Sequence, residues 1–211
     1  MTQNNITLSI SKDKIAEMPT VAYDGYVTVV ESMAEALKAI EYLKTQSMLG
    51  FDTETKPSFR KGKPNKVSLV QISTDRRSFL FRINKLGFID ELKQLLEDEN
   101  VMKIGLSLKD DYGALRRLGD FNPGGFIDLQ AFVKKYGIID NSLQRIYAIV
   151  FGGRISKGQR LSNWEAAELS YAQQVYASID AWSCLQLYRH LSEGNFNPAT
   201  SQYIVELQEN Q

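Results

Sequence analysis

The chain of 211 residues predicts an α/β fold, a single domain in which α-helices pack on a mixed β-sheet. Three observations carry that expectation. Three strand-like runs come first, spaced as meander strands are, and helical and extended patterns alternate after them. The length suits one domain with a sizeable core. The composition, 43% apolar and 24% charged, is that of an ordinary soluble globular protein.

Residues 1–30 read as an N-terminal extension, irregular apart from short strands such as Tyr26-Val27-Thr28-Val29-Val30. Glu31-Ser32-Met33-Ala34-Glu35 opens a helix that turns Ala36, Leu37, Ile40 and Leu43 inward at helical spacing. Met48 to Phe51 reads as a strand ending in Asp52-Thr53-Glu54-Thr55. A basic loop punctuated by Gly and Pro follows, Arg60-Lys61-Gly62-Lys63-Pro64. Two more strands, Val67 to Ser73 and Phe79 to Ile83, are joined by the turn Thr74-Asp75-Arg76-Arg77. A helix is expected from Ile89 to Leu96, a strand from Val101 to Leu106 and a helix from Lys109 to Leu118. Phe126-Ile127 is one more short strand, and the remainder reads as helical, ending in a long helix from Ser170 to Leu191. The domain proper is expected over residues 31–195, with a C-terminal tail at 196–211.

Charge and composition remove several function classes. Lys+Arg and Asp+Glu number 25 each, which argues against a non-specific coating protein that binds by neutralising phosphates. The single cysteine, Cys184, excludes an intramolecular disulfide and a cysteine-rich zinc site. One histidine, His190, leaves little for imidazole ligation or a Ser-His-Asp arrangement. A basic-then-apolar leader pattern and a long apolar run are both lacking, so a cytoplasmic protein without membrane association is expected.

Acids normally occupy solvated faces, so an acid that interrupts an apolar stripe is informative. In the last helix, Ala172, Tyr176, Cys184, Leu187 and Leu191 recur at steps of three and four, and Asp180 falls within that stripe. A solvated second stripe is the plainer alternative. The same test separates Asp110 from Asp111. Asp111 shares a face with Leu108, Leu115 and Leu118, whereas Asp110 lies with Ala114 and Arg117, where an exposed acid near a helix start suits the dipole. On the first core strand, Asp52 and Glu54 project to one face, two residues apart. Such close like charges repel unless a cation lies between them or one is protonated. A strand that simply exits into solvent is an equal alternative for that segment.

Together, four acids from three segments interrupt apolar patterns in a chain nearly without His or Cys. Oxygen-only ligands suit hard cations such as Mg²⁺ or Mn²⁺ rather than zinc. Four carboxylates are what two such ions about 4 Å apart need in order to clamp a phosphoryl transfer.

Three motifs now stand in order. The first is Phe51-Asp52-Thr53-Glu54-Thr55, followed by Val67-Ser68-Leu69-Val70-Gln71-Ile72. The second runs from Lys103-Ile104-Gly105-Leu106 to Asp111. The third is Leu161-Ser162-Asn163-Trp164, then Leu169, Gln173 and Tyr176-Ala177-Ser178-Ile179-Asp180-Ala181. On these residues the chain resembles the ribonuclease D and Werner-type 3′-5′ exonucleases, within the ribonuclease H-like group that carries four acids and a tyrosine. The resemblance runs from about Met48 to Leu191. One departure is Ala167-Glu168, where many relatives carry Arg-Pro.

The resemblance implies a ribonuclease H-like sheet flanked by helices and hydrolysis of nucleic acid from its 3′ end to nucleoside monophosphates; as substrate, DNA is favoured over RNA. The 2′-hydroxyl contact that would decide that preference has no locatable residue in the sequence. Asp52, Glu54, Asp111, Tyr176 and Asp180 become the catalytic set, and its four acids the ligands of two Mg²⁺ or Mn²⁺ ions. Asp52 would bridge both ions, Glu54 and Asp180 would complete one site, and Asp111 would support the second, directly or through water. Tyr176 would hold the attacking water. Thr53, Lys63, Lys66, Arg160 and Trp164 are the candidate substrate contacts. Arg60, Lys61, Lys63 and Lys66 form one basic patch and Arg154, Lys157 and Arg160 a second, each with a solvated surface as its plainer reading. Trp164 either anchors the core, the favoured reading, or stacks on a base. The rival functions are a catalytically inactive nucleic-acid-binding module of the same fold and a metal-dependent phosphatase.

Overall fold

The computed structural model describes residues 6–56 and 66–206. In chain order its elements are α1 (Lys12–Ala16), β1 (Tyr26–Val30), α2 (Met33–Lys44), β2 (Met48–Thr55), β3 (Val67–Ser73), β4 (Arg77–Arg82), α3 (Ile83–Leu86), α4 (Asp90–Glu97) and β5 (Met102–Gly105). There follow α5 (Leu108–Arg116), β6 (Phe126–Asp128), α6 (Leu129–Phe132), a 3-10 turn (Val133–Tyr136), α7 (Leu143–Phe151), α8 (Tyr171–Ser192) and a short 3-10 turn (Pro198–Thr200).

Six strands make one sheet in the order β1-β4-β3-β2-β5-β6. β2, β3 and β4 are antiparallel neighbours, while β1 pairs parallel with β4, and β5 and β6 run parallel to β2. The mixed sheet follows from the connections. A tight turn, closed by Thr74 and Arg77, can only return a strand antiparallel. The helical crossovers α4 and α5 carry the chain to parallel strands. One face of the sheet packs on α2, α4 and α5 through residues such as Ile40, Leu43, Phe51, Phe81, Leu95 and Leu115. The other core gathers Leu8, Ile104, Ile146, Leu185 and Leu187 around α7 and α8.

Local chemistry sets the helix ends. Ser32 and Ser170 each begin a capping box, with Glu35 and Gln173 reaching back to the cap backbone, which satisfies the first free N–H groups of α2 and α8. α7 stops at Gly152, whose φ of 69° is left-handed and open chiefly to glycine.

Some expectations are corrected. Leu37 is 44% exposed, and Ala39 takes its place on the inner face of α2 with Ala36, Ile40 and Leu43. The stretch 152–170 is irregular rather than helical, since Gly152, Gly153 and Gly158 interrupt it. The strand expected to reach Ile83 ends at Arg82, and Ile83 opens α3. Residues near both ends of the chain join the body of the protein. Leu8 is fully buried and bridges both Ile138 and Ile204, and Asp140 accepts hydrogen bonds from Ser9 Oγ and the Ile10 amide, each at 3.0 Å.

Candidate active site

β2 carries two acids to the centre of the sheet. Alternation turns Asp52 and Glu54 toward α8 and sends Thr53 to the opposite face, where its hydroxyl donates to Asp111 Oδ1 on α5. α8 brings Asp180 and, one turn earlier, Tyr176. The helix can lie close enough only because residue 50 is glycine: a Cβ there would stand 1.9 Å from the Ala181 carbonyl oxygen. Strand and helix are thus in backbone contact one residue from Asp180 and two from Asp52.

One oxygen from each of Asp52, Glu54 and Asp180 lies within 4.8 Å of the others. Asp111 stands beside this trio rather than within it, held by Thr53. Asp110 is exposed.

Burial and crowding disfavour ionisation throughout. Burial, then the charges of Asp180, Asp111 and Glu54, raises Asp52 well above the usual carboxylate range. Burial, with Asp180 and Asp111, pushes Glu54 up to about 8 against the pull of Arg160. Asp180 rises to about 7 through burial, opposed by the Tyr176 hydroxyl and Lys157. Asp111 rises to about 6 by burial, with the Thr53 hydroxyl opposing. The Tyr176 hydroxyl is held protonated by burial and by Asp180. Burial does the same to the Cys184 thiol, which lines the cleft and is therefore a poor nucleophile.

Among the described residues no lysine or arginine forms an ion pair with the trio. Three crowded carboxylates without a direct countercharge, offering only oxygen, fit a divalent cation.

The site opens into a cleft of about 320 Å³ whose wall carries Ser156, Lys157 and Arg160. The second basic patch therefore divides. Lys157 and Arg160 face the acids, while Arg154 bonds Thr20 Oγ1 at 2.8 Å and turns away. Lys66 is exposed and lines a separate depression with Glu165 and Phe88. Lys63, with Arg60 and Lys61, lies outside the described residues.

The two other candidate contacts, Thr53 and Trp164, do not line the cleft, and Trp164 takes the place in the core that was the favoured reading for it. Thr53 is turned from the cleft and spends its hydroxyl on Asp111. Trp164 is fully buried against Tyr176, with ring centroids 6.0 Å apart, so its face is closed to a base. Arg82, buried in β4, fastens this neighbourhood by donating to the Ala166 carbonyl and pairing with Glu31 at 3.0 Å.

One residue that fixes an element of the site escaped the sequence reading. Asp128, at the end of β6, accepts hydrogen bonds from the Ser107 and Leu108 amides at 3.1 and 3.0 Å. It thereby caps α5, whose N-cap Ser107 makes no side-chain bond and has a left-handed φ of 61°. An acid at a strand end was the available signal, but its use depends on β6 lying beside β5. Asp128→Ala is expected to cost about 1–2 kcal/mol, the scale of a lost cap. It should also lower activity, because the first turn of α5 carries Asp111. Asp128→Asn should recover part of both, as read by thermal melts and turnover.

A family model described as 3′-5′ exonuclease matches residues 27–194. The mouse bifunctional 3′-5′ exonuclease/ATP-dependent helicase WRN is 29% identical over 161 residues, covering 71% of this chain but 11% of the mouse protein. A 3′-5′ exonuclease of Arabidopsis thaliana is 28% identical over 211 residues, covering 87% of this chain and 69% of that protein. In fold, the chain is similar to Escherichia coli RNase D, with a TM-score of 0.72 at 19% identity over 80% of this chain and 44% of that one. Among the described residues no helix is long and apolar enough to cross a membrane.

Proposed function

The chain belongs to the 3′-5′ exonuclease family, and from that premise we propose that it removes nucleotides one at a time from the 3′ end of nucleic acid. The observation that carries this reading is the trio of Asp52, Glu54 and Asp180 within 4.8 Å, with Tyr176 beside it in an open cleft. On this reading two Mg²⁺ or Mn²⁺ ions, held by Asp52, Glu54 and Asp180 with help from Asp111, supply charge stabilisation at the scissile phosphate. The chain's own groups do the rest. Lys157 and Arg160, on the cleft wall, meet the strand's phosphates. The Tyr176 hydroxyl, protonated and facing Asp180, orients the attacking water. Thr53 and Asp128 hold Asp111 in place. DNA is taken as the favoured substrate, and the RNA arm of the test below decides against it or for it. A cluster of buried like charges is costly to keep, which disfavours a binding module without catalysis.

The test is release of nucleoside monophosphates from matched single-stranded DNA, recessed duplex DNA and RNA, with and without Mg²⁺ or Mn²⁺. A blocked 3′ end should stop the reaction and a blocked 5′ end should not. Efficient cutting of a closed single-stranded circle would sink the reading.

Tyr176→Phe isolates the hydroxyl. The ring packs on Trp164 and would remain, so the melting temperature should barely change. Turnover should fall about 10²-fold, the lower range for a positioned proton-handling group. Normal single-turnover cleavage in this variant would reduce Tyr176 to packing.

A further inference from the structure

We propose that the groove beside the catalytic cleft is a nucleobase subsite, which takes one unpaired base of a nucleotide flanking the scissile phosphodiester. The proposal rests on the exonuclease reading and adds to it a site made by this chain's N-terminal segment.

The groove has a volume of about 410 Å³, within the range of sites that enclose small ligands. Tyr171, Val175 and Ile179, on one face of α8, form one wall, and Val21 to Tyr23 form the other. No Lys, Arg, Asp or Glu lines it, so it is unsuited to phosphate and suited to the apolar face of a base. Thr20 and Gln159 at its edge offer hydrogen-bonding groups to a base edge. Tyr171 is 79% exposed, an aromatic ring with an open face. Every base has a π-face, so stacking on a tyrosine tolerates any sequence.

Continuity with the active site identifies the occupant. Ser156 and Tyr176 line both the groove and the catalytic cleft. Lys157 follows Ser156 on the cleft wall, so phosphates drawn to Lys157 leave their base beside the groove. A base seated there has left any duplex stack, so it must be unpaired.

The outer wall is built. The Arg154 amide donates to the Pro19 carbonyl at 2.9 Å and the Val21 amide to the Arg154 carbonyl at 3.0 Å. The Arg154 guanidinium also bonds Thr20 Oγ1 at 2.8 Å. Residues 20–23 lie just before the stretch 27–194 that matches the family model, so the family match alone does not describe this wall.

The experiment measures binding apart from cleavage. The Kd of the full chain for a labelled single-stranded DNA is read by fluorescence anisotropy in EDTA. An abasic residue is walked inward from the 3′ end. One position near the end should weaken wild-type binding about tenfold, the order of one lost base-aromatic stack. Tyr171→Ala should weaken binding of the intact strand by a similar factor, and the abasic residue at that position should then add nothing. Tyr171→Phe, which keeps the ring, should bind as wild type does, and equal melting temperatures for the variants confirm folding. If Tyr171→Ala binds unchanged, or if the two losses multiply, the groove is no base subsite. Adding Mg²⁺ or Mn²⁺ to the intact complex then tests the exonuclease reading separately, because release of mononucleotides does not depend on which position the groove reads.

Discussion

Asp52→Asn is expected to abolish turnover while making the metal-free protein harder to melt at neutral and mildly alkaline pH. The two effects have one cause. Asp52 is the acid whose ionisation is opposed by burial and by all three of Asp180, Asp111 and Glu54. In the folded protein Glu54 holds its proton up to about 8, against an ordinary value of 4.5. Between those values the folded state carries protons that the unfolded chain has released. Raising the pH through this window therefore lowers stability, opposite to the usual behaviour of paired carboxylates. Asparagine keeps the shape and removes a charge, so the variant should lose less stability across the window. Without that carboxylate, charge at the scissile phosphate loses its support, and kcat should fall by about 10³-fold or more, the scale of removing a preorganised electrostatic group. Thermal melts from pH 5 to pH 8, with and without Mn²⁺, check the argument. Added ion should raise the wild-type melting temperature most at pH 8, since an ion that binds only the folded state stabilises it. Most of that gain should vanish in Asp52→Asn. A wild-type melting temperature that rises steadily with pH in EDTA would refute the account of the buried acids.

Gly50→Ala is expected to damage stability and activity together. The new Cβ would meet a helix carbonyl at 1.9 Å, and a backbone oxygen in the middle of the 22-residue α8 cannot swing aside as a side chain can. α8 must lift from β2. Overpacking of this kind costs about 1–3 kcal/mol and sometimes more. The lift separates Asp180 and Tyr176 from Asp52 and Glu54, and a misplacement of about 1 Å is enough to cost about 10²-fold in rate. Gly113→Ala is the control. Its Cβ meets only the Arg117 guanidinium, at 3.8 Å, inside a helix, so it should stabilise by up to about 1 kcal/mol. Equal melting temperatures for wild type and Gly50→Ala would show that the helix tolerates the methyl group.

Much of the fold was legible because its signals are local. Ser32 and Ser170 mark helix starts by side chains that bond amides three residues away. The strand pattern of β2 placed Asp52 and Glu54 on one face before any partner was known. Helical spacing alone sets Asp111 on a different face from Asp110, and Asp110 is exposed where Asp111 turns to Thr53. Spacing separates the faces of α8 less sharply. That helix is buried on several sides, between the sheet and α7, so Ala172 could be assigned to the buried stripe although it is exposed.

By itself, then, the sequence determined the order and type of most elements, the face on which each acid projects, and the hard-cation chemistry that an oxygen-only set invites. Each of these depends on residues within a few positions of one another. Only the tertiary structure decided which charges meet. It put Lys157 and Arg160 on the cleft wall but turned Arg154 to Thr20, and left Lys66 in another depression. It gave Thr53 to Asp111 and Asp128 to the start of α5, and it set residues 20–23 beside Tyr171. These outcomes join segments far apart in the chain. They follow from strand order and from the close approach of α8 to β2 at Gly50, which local spacing does not encode.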